Sequence, residues 1–589
     1  MNENLAKIKQ RLNDCYSLEA SQFAFEQIEA RLAPFIERAA THQNSRWSQE
    51  DSVLITYGDT FLSDKEVPLT TLHKFLNLHI KDAISTIHVL PFFPYSSDDG
   101  FSVIDYTQVN PDLGDWENIT QLNEDYDLMF DLVINHISRE SLWFTDYKAN
   151  IEPFNSFFIE MEGSEDISHV TRPRNTPLLV PAYTHRGRKM VWATFSADQI
   201  DLNFSNPQVL LKMIDILMQY LHMGARIVRL DAIAFLWKKL GTTSIHLPET
   251  HAIVKLLREV MAVVKPDSIL LTETNVPHLE NLSYFGQQDE AQMVYQFALA
   301  PLVLHALHRG DGRYLTDWAT HLEAPPPGCT FLNFTASHDG IGVRPIEGIL
   351  PQREVDDLIT SMHRLGGFVT TKTNEDGTES PYEINIALFS AFRETYHSNG
   401  PDQWQVDRFI CSQNIMMTLQ GIPAFYIQSL VAAPNDREGV EKTGRTRSIN
   451  RRRWEFDYLQ ALIESGRTSN AEVLKRIINI LQRRKRHKAF HPDTPQKIVD
   501  LGSDFFALWR DSESLKFPLL AIHNLTPEIK LIDLSQIAGM ERFSYWVNLL
   551  DNGVVSSLEE QYVLKPYQSI WLMPETVNHV SALWAPFTD

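Results

Sequence analysis

Residues 226–238 read RIVRLDAIAFLWK. A short apolar run from Ile227 to Leu230 is broken by Arg229 and ends on Asp231, after which small and aromatic residues open a helical pattern. A charge in a strand that otherwise reads as core is costly unless it is paired or sits at an opening. How often the pattern recurs along the chain decides between the two.

Seven other short apolar runs share its texture: SVLITYGD (52–59), ISTIHVLPFFP (84–94), YDLMFDLVINHIS (126–138), SILLTETN (268–275), QMVYQFALA (292–300), TFLNFTASHDG (330–340) and GIPAFYIQSL (421–430). Between them lie amphipathic patterns such as NPQVLLKMIDILMQYLHMGA (206–225) and HAIVKLLREVMAVVK (251–265). Alternating strand and helix argues for an α/β fold with a parallel sheet. Eight repeats argue for a closed (β/α)8 barrel. The barrel is expected over 52–137 and 201–487, interrupted by inserts at 138–200 and 340–383. Inserts of that length in a compact domain are functional or form small subdomains. Before the barrel, LAKIKQRLNDCY and AFEQIEARLAPFIERAA space apolar residues by three and four, which predicts a helical extension over 1–51. A coiled-coil arm is the other reading of that pattern. After it, DFFALWR, FPLLAIHNL, FSYWVNLL and YVLKPYQSIWLM alternate as short strands, which predicts a small antiparallel β domain over 488–589.

At 589 residues the chain exceeds one simple core, and its 43% hydrophobic and 22% charged residues are those of a globular protein. The net charge of −22 argues against nucleic acid, which needs a basic footprint, but leaves room for a local basic pocket. The three cysteines, Cys15, Cys329 and Cys411, lie far apart without metal-ligand spacing, which favours a reducing compartment. The N-terminus lacks the apolar core of a secretory signal, and no stretch reaches the ~20 apolar residues of a membrane span, so a cytoplasmic protein is expected. The twelve tryptophans are dispersed, as core residues are, and do not suggest a starch-binding surface.

In a barrel, chemistry sits at the C-terminal ends of the strands. Asp231, Glu273 and Asp339 follow three of the strand candidates at that end. One such acid alone reads as a helix cap or a surface carboxylate; three at one end of one barrel do not. Glycosyl transfer uses such a set. One carboxylate attacks the anomeric carbon, and a second, protonated near neutral pH, serves the leaving oxygen. In retaining enzymes the two lie about 5–5.5 Å apart. Arg229 points to the same face as Asp231 and is expected to lower its pKa. A purely structural Arg229–Asp231 pair is the alternative.

These motifs resemble the α-amylase superfamily, glycoside hydrolase family thirteen: DLVINHIS, ARIVRLDAI, LLTETN and FTASHD occur in its order. The resemblance implies Asp231 as nucleophile, Glu273 as acid/base and Asp339 as transition-state stabiliser, with Arg229, His136 and His338 as their sugar-contacting partners. It also implies that the first insert is domain B and the last unit domain C. PFFPYSSDDGFSVIDYTQVNPDLGDW (91–116) looks like the sucrose phosphorylase subfamily, which would place Asp98 and Phe101 at the glucose site. NDREGVEKTGRTRSINRRRW (435–454) resembles that subfamily's loop after strand eight, which would bring Arg447 to glucose. Such enzymes are retaining and transfer glucose reversibly from an α-glucoside to inorganic phosphate.

The chain departs from sucrose phosphorylases at Phe235, where they usually carry a tyrosine that contacts phosphate. FLWKKLGTTSIHLPETH and SLVAAPNDREGVEKTGRTRSINR look more like glucosylglycerate and glucosylglycerol phosphorylases. Glycerate is an anion, and Arg437, Arg445 and Lys442 are the loop cations expected to hold it or phosphate. A solvated basic loop is the other reading of those three. The expected partners are a small α-glucoside and inorganic phosphate, with no metal, no cofactor, no nucleic acid and no membrane. By resemblance to the subfamily a homodimer is expected. The three acids alone would equally serve a sucrose phosphorylase, a retaining α-glucosidase or an amylosucrase-like transglucosidase. A non-catalytic binding protein on this barrel would usually have lost one of the acids.

Overall fold

In the computed structural model, residues 3–36, 46–373, 378–398, 400–512 and 515–575 are described. Eight strands close a barrel: β1 (Val53–Thr56), β2 (Thr86–Val89), β3 (Asp127–Leu132), β4 (Ala225–Leu230), β5 (Ile269–Thr272), β6 (Met293–Tyr295), β7 (Thr330–Phe334) and β8 (Ile422–Tyr426). Each pairs in parallel with its neighbours in chain order, and β8 returns to β1. All eight expected runs therefore form the barrel. Their side chains are buried on both faces, except Asp127 and Arg226 at strand starts, which explains why the runs read as continuous rather than alternating.

The helices between strands carry the expected stripes. α1 (Glu3–Cys15) and α2 (Leu18–Ile36) form the N-terminal extension. α3 (Pro207–His222) starts where Asn206 caps the Gln208 amide and Pro207 sets the first helical φ. α4 is Pro248–Val264. α1 packs along α4, and α2 touches both α3 and α4. Leu5, Ile8, Leu12, Ile28 and Leu32 are buried there. The extension is thus part of the barrel's outer layer and not a free coiled-coil arm. Residues 37–40, the end of the expected second helix, lie outside the described residues.

The first insert leaves the barrel through an antiparallel stem, His136–Ser138 against Gln199–Asp201, and carries a three-stranded sheet of Glu160–Met161, Leu179–Thr184 and Gly187–Trp192. The second insert holds a helix, Gln352–Arg364, and three antiparallel strands, Ile341–Gly342, Glu379–Asn385 and Phe368–Thr373. Its residues 374–377 lie outside the described residues. A six-stranded antiparallel sheet built from 496–574 closes the chain over its own core of Trp509, Ile522, Trp546 and Ile570. Residues 576–589 of that expected unit are also outside the described residues. Among the described residues no helix is long and apolar enough to cross a membrane.

Candidate active site

Register explains the arginine in β4. Arg229 lies opposite Asp131 of β3, and both side chains point into the barrel. Arg229 Nη1 is 2.5 Å from Asp131 Oδ1 and 2.8 Å from Asp231 Oδ1, while Nη2 is 4.0 Å from Glu273 Oε2. Asp131 is shared in turn with His88 of β2, whose Nε2 lies 2.7 Å from Oδ2. His88, Asp131 and Arg229 are almost wholly buried, so the charge in the opening stretch is paired and also lies beneath an opening.

That opening is a cavity of about 960 Å3 over the C-terminal ends of the strands. Asp231, Glu273 and Asp339 line it together with Asp98, Phe101, His136, His338 and Arg447. The ring of Phe101 stacks on His338, centroids 4.9 Å apart and planes within 4°. His136 Nε2 donates to the Phe101 carbonyl at 2.9 Å, which fixes both rings against the sugar-sized space. Asp98 accepts from Gln199 Nε2 at 3.3 Å and sits in the left-handed region, as does Asp99. Arg451 holds Asp99 at 2.5 Å, so an ion pair from the loop after β8 secures this strained turn.

Arg447 reaches the cavity as an anchor between two elements. It lies 2.5 Å from Asp339 Oδ1 and grips the buried Glu383 through Nε at 2.9 Å and Nη2 at 2.6 Å. Glu383 also accepts from the Gly340 amide at 2.9 Å. Gly340 has to be glycine for this approach, since a Cβ there would meet Glu383 Cγ at 2.4 Å. The residue after Asp339, the second insert and the loop after β8 are in this way tied together.

The three acids titrate differently. Burial, then the charges of Asp231 and Asp339, push Glu273 up to about 7 against the pull of Arg229. Asp339 is also buried, but Arg447, His338, Arg451 and Arg229 override that and hold it well below the usual carboxylate range. Burial raises Asp231, and Arg229 and His136 pull it back without outweighing burial. The expectation that Arg229 sets a low pKa at Asp231 is corrected here. The arginine divides its charge, and its shorter contact is to Asp131. Asp131 itself is buried, yet His88 and Arg229 bring it down to about 2.

A family model for the catalytic domain of α-amylase matches residues 79–323. A glucosylglycerate phosphorylase of Escherichia coli is 39% identical over 96% of this chain and 99% of its own length. The chain belongs to the sucrose phosphorylase-like branch of the α-amylase family. A glucosylglycerate phosphorylase of Spirochaeta thermophila is 45% identical over 81% of this chain and 80% of its own. Among solved structures, sucrose 6F-phosphate phosphorylase from Thermoanaerobacter thermosaccharolyticum aligns with a TM-score of 0.70 at 24% identity, covering 81% of this chain and 94% of that one. At that identity the likeness speaks to the fold.

For an α-amylase-family barrel the sequence placed most of the site, but not its cationic wall. Arg437 and Lys442 do not face the main cavity. Residues Arg437–Thr443 form a short helix capped by Asp436, and neither side chain is among those lining the cavity. Lys442 pairs with Glu438 at 2.7 Å, both exposed. Arg437 lies against Gly366 of the second insert, where a Cβ would come within 2.5 Å of its Nη2. Arg445 lies 3.8 Å from Asp99 and lines an adjoining opening with Arg174 and Arg447. The cations on the main wall are instead Arg172, Arg174, Arg344 and Lys372, all on the two inserts. Phe235 lines the same cavity, its ring edge-on to Phe195 at 5.5 Å.

Lys238, the last residue of the opening stretch, also proves structural. Its Nζ lies 2.7 Å from Asp201 Oδ2 and 2.5 Å from Asn135 Oδ1, with both charges buried. It joins the loop after β4 to the stem of the first insert, next to His136. Lys238→Met leaves Asp201 buried without its cation and should cost about 3–5 kcal/mol. Urea unfolding measures this, and adding Asp201→Asn should recover much of the loss. A single variant as stable as wild type would show that the pair contributes nothing.

Proposed function

We infer that this chain is a retaining glycoside phosphorylase that transfers glucose reversibly from 2-O-α-glucosylglycerate to inorganic phosphate, giving α-glucose 1-phosphate. The acceptor assignment is carried by the near-full-length likeness to proteins of that activity. The site supports the chemistry. Asp231 attacks the anomeric carbon and forms a β-glucosyl ester. Glu273, which still holds its proton near neutrality, delivers it to the departing glycerate oxygen. Phosphate then attacks the ester from the other face, Glu273 takes up the proton, and the configuration is retained. Asp339 stays ionised through both steps and faces the positive charge that develops on the sugar ring. Asp98, Phe101, His136, His338 and Arg447 enclose the glucose. Cations on the insert wall favour an anionic acceptor over water. We also place the enzyme in the cytoplasm, which its three unpaired cysteines suit.

The test is reverse phosphorolysis. Purified protein is mixed with α-glucose 1-phosphate and, separately, D-glycerate, glycerol, fructose, fructose 6-phosphate or buffer, and phosphate release is followed. Release with glycerate should exceed that with glycerol by about 10–100-fold, the worth of one charge-assisted contact. Preference for glycerol or fructose would move the acceptor and keep the mechanism. Equal release in buffer alone would favour a hydrolase.

A further inference from the structure

The four cations of the cavity wall are not equivalent. Arg172 donates to the Thr176 carbonyl, and the Arg174 guanidinium lies 5.5 Å from the centroid of the Tyr382 ring. Arg344 is different. It opens the short turn Arg344–Ile346, and its buried Nε has no hydrogen-bond partner. Among the described residues no carboxylate pairs with it. Lys372, on the strand Phe368–Thr373, has only Glu347, half exposed and 3.9 Å away. Two half-buried cations thus face one cavity, and among the described residues Glu347 is the one carboxylate within 4.0 Å of either. Burial, then the charge of Arg344, hold the Lys372 ammonium below its ordinary value.

We propose that Arg344 and Lys372 form the clamp for the carboxylate of the acceptor, with the guanidinium gripping both oxygens and the ammonium adding a point charge. The clamp rests on the reading of the chain as a phosphorylase for an anionic acceptor. The choice of carboxylate over phosphate follows from reach. In glucose 1-phosphate the free phosphate oxygens are two bonds from the bridging oxygen. In 2-O-glucosylglycerate the carboxylate oxygens are three bonds away, so their site lies farther from the anomeric carbon. The cations that act most strongly on the catalytic acids are Arg229, Arg447 and Arg451. Those three each come within 4.0 Å of a catalytic carboxylate, whereas among the described residues Arg344 and Lys372 come that near to none of the three acids, which places the pair farther out along the cavity wall.

The test uses Arg344→Gln and Lys372→Met singly, in the full-length enzyme. Three readouts are taken: transfer from α-glucose 1-phosphate to D-glycerate, transfer to glycerol, and exchange of labelled phosphate into α-glucose 1-phosphate. Each variant should raise KM for glycerate about 10–100-fold and bring its preference over glycerol close to unity, with glycerol transfer and phosphate exchange little changed. Arg344→Lys and Lys372→Arg should recover part of the loss. An unchanged glycerate-to-glycerol preference would overturn the clamp. So would a parallel fall of all three reactions, which a structural or general phosphate role predicts. Calorimetric titration of D-glycerate into wild type and variants reads the clamp without turnover. If wild type neither uses nor binds glycerate, the substrate reading fails. The clamp then survives only if the variants lose selectivity for other carboxylate acceptors over neutral ones.

Discussion

Asp231→Asn should lower glucosyl transfer in both directions by about 10^4-fold or more and leave the melting temperature equal to or above that of wild type. No other group can take over the attack. Glu273 is needed for the proton. Asp339 is bound to Arg447, and Asp131 lies under the floor between His88 and Arg229. The asparagine keeps the shape and leaves Arg229 paired with Asp131, so no buried cation is stranded. The sign of the stability effect follows from the raised Asp231 pKa. A carboxyl whose folded pKa lies above its unfolded value costs stability above the folded pKa. That cost disappears as the pH falls below the ordinary 3.8. Asparagine carries no such cost, so its advantage should be present at neutral pH and shrink in acid. Initial rates and thermal melts at several pH values check both halves. Activity above about 1% of wild type, or a large fall in melting temperature, would remove Asp231 from the nucleophile's role.

The barrel was legible because eight apolar runs alternate with helical stripes, a long-range regularity that local accidents do not mimic. The acids were legible for the same reason, since strand ends are the one place where a barrel tolerates a row of charges. The support beneath them was less so. Asp131 stands in the middle of YDLMFDLV. A charge inside so apolar a run signals a buried partner, but only register reveals that His88 and Arg229 are the partners. The acceptor wall was not legible. Arg344 and Lys372 lie on the second insert outside its helix Gln352–Arg364, and nothing in their neighbourhood says which way they point. Arg437 and Lys442 were attractive because they precede Arg447 in the chain. They sit on the short helix Arg437–Thr443, where Lys442 pairs with Glu438 and Arg437 lies against Gly366. Arg447 itself was anticipated, but its grip on Glu383 joins two segments 64 residues apart and has no local signature.

Glu273→Gln should separate donors by their leaving groups. The glycerate oxygen leaves as an alkoxide unless protonated, so phosphorolysis of glucosylglycerate should fall by about 10^2–10^4-fold, the usual worth of a positioned acid. α-Glucosyl fluoride leaves as a weak base, so its first step should stay within about tenfold of wild type. With Glu273 pushed up to about 7, wild-type kcat/KM for glucosylglycerate should decline as the pH rises through that value, because the proton to be donated has gone. In the glutamine variant that alkaline limb should vanish along with most of the rate. Stability provides a second readout. Ionised Glu273 is disfavoured by burial and by two neighbouring carboxylates, a cost present above about 7 and gone below the ordinary 4.5. The variant should therefore melt at or above wild type on the alkaline side and lose that margin in acid. Equal loss on fluoride and glucosylglycerate would mean that Glu273 positions the sugar and does not move the proton. In that case the raised pKa would reflect crowding of three acids and nothing more.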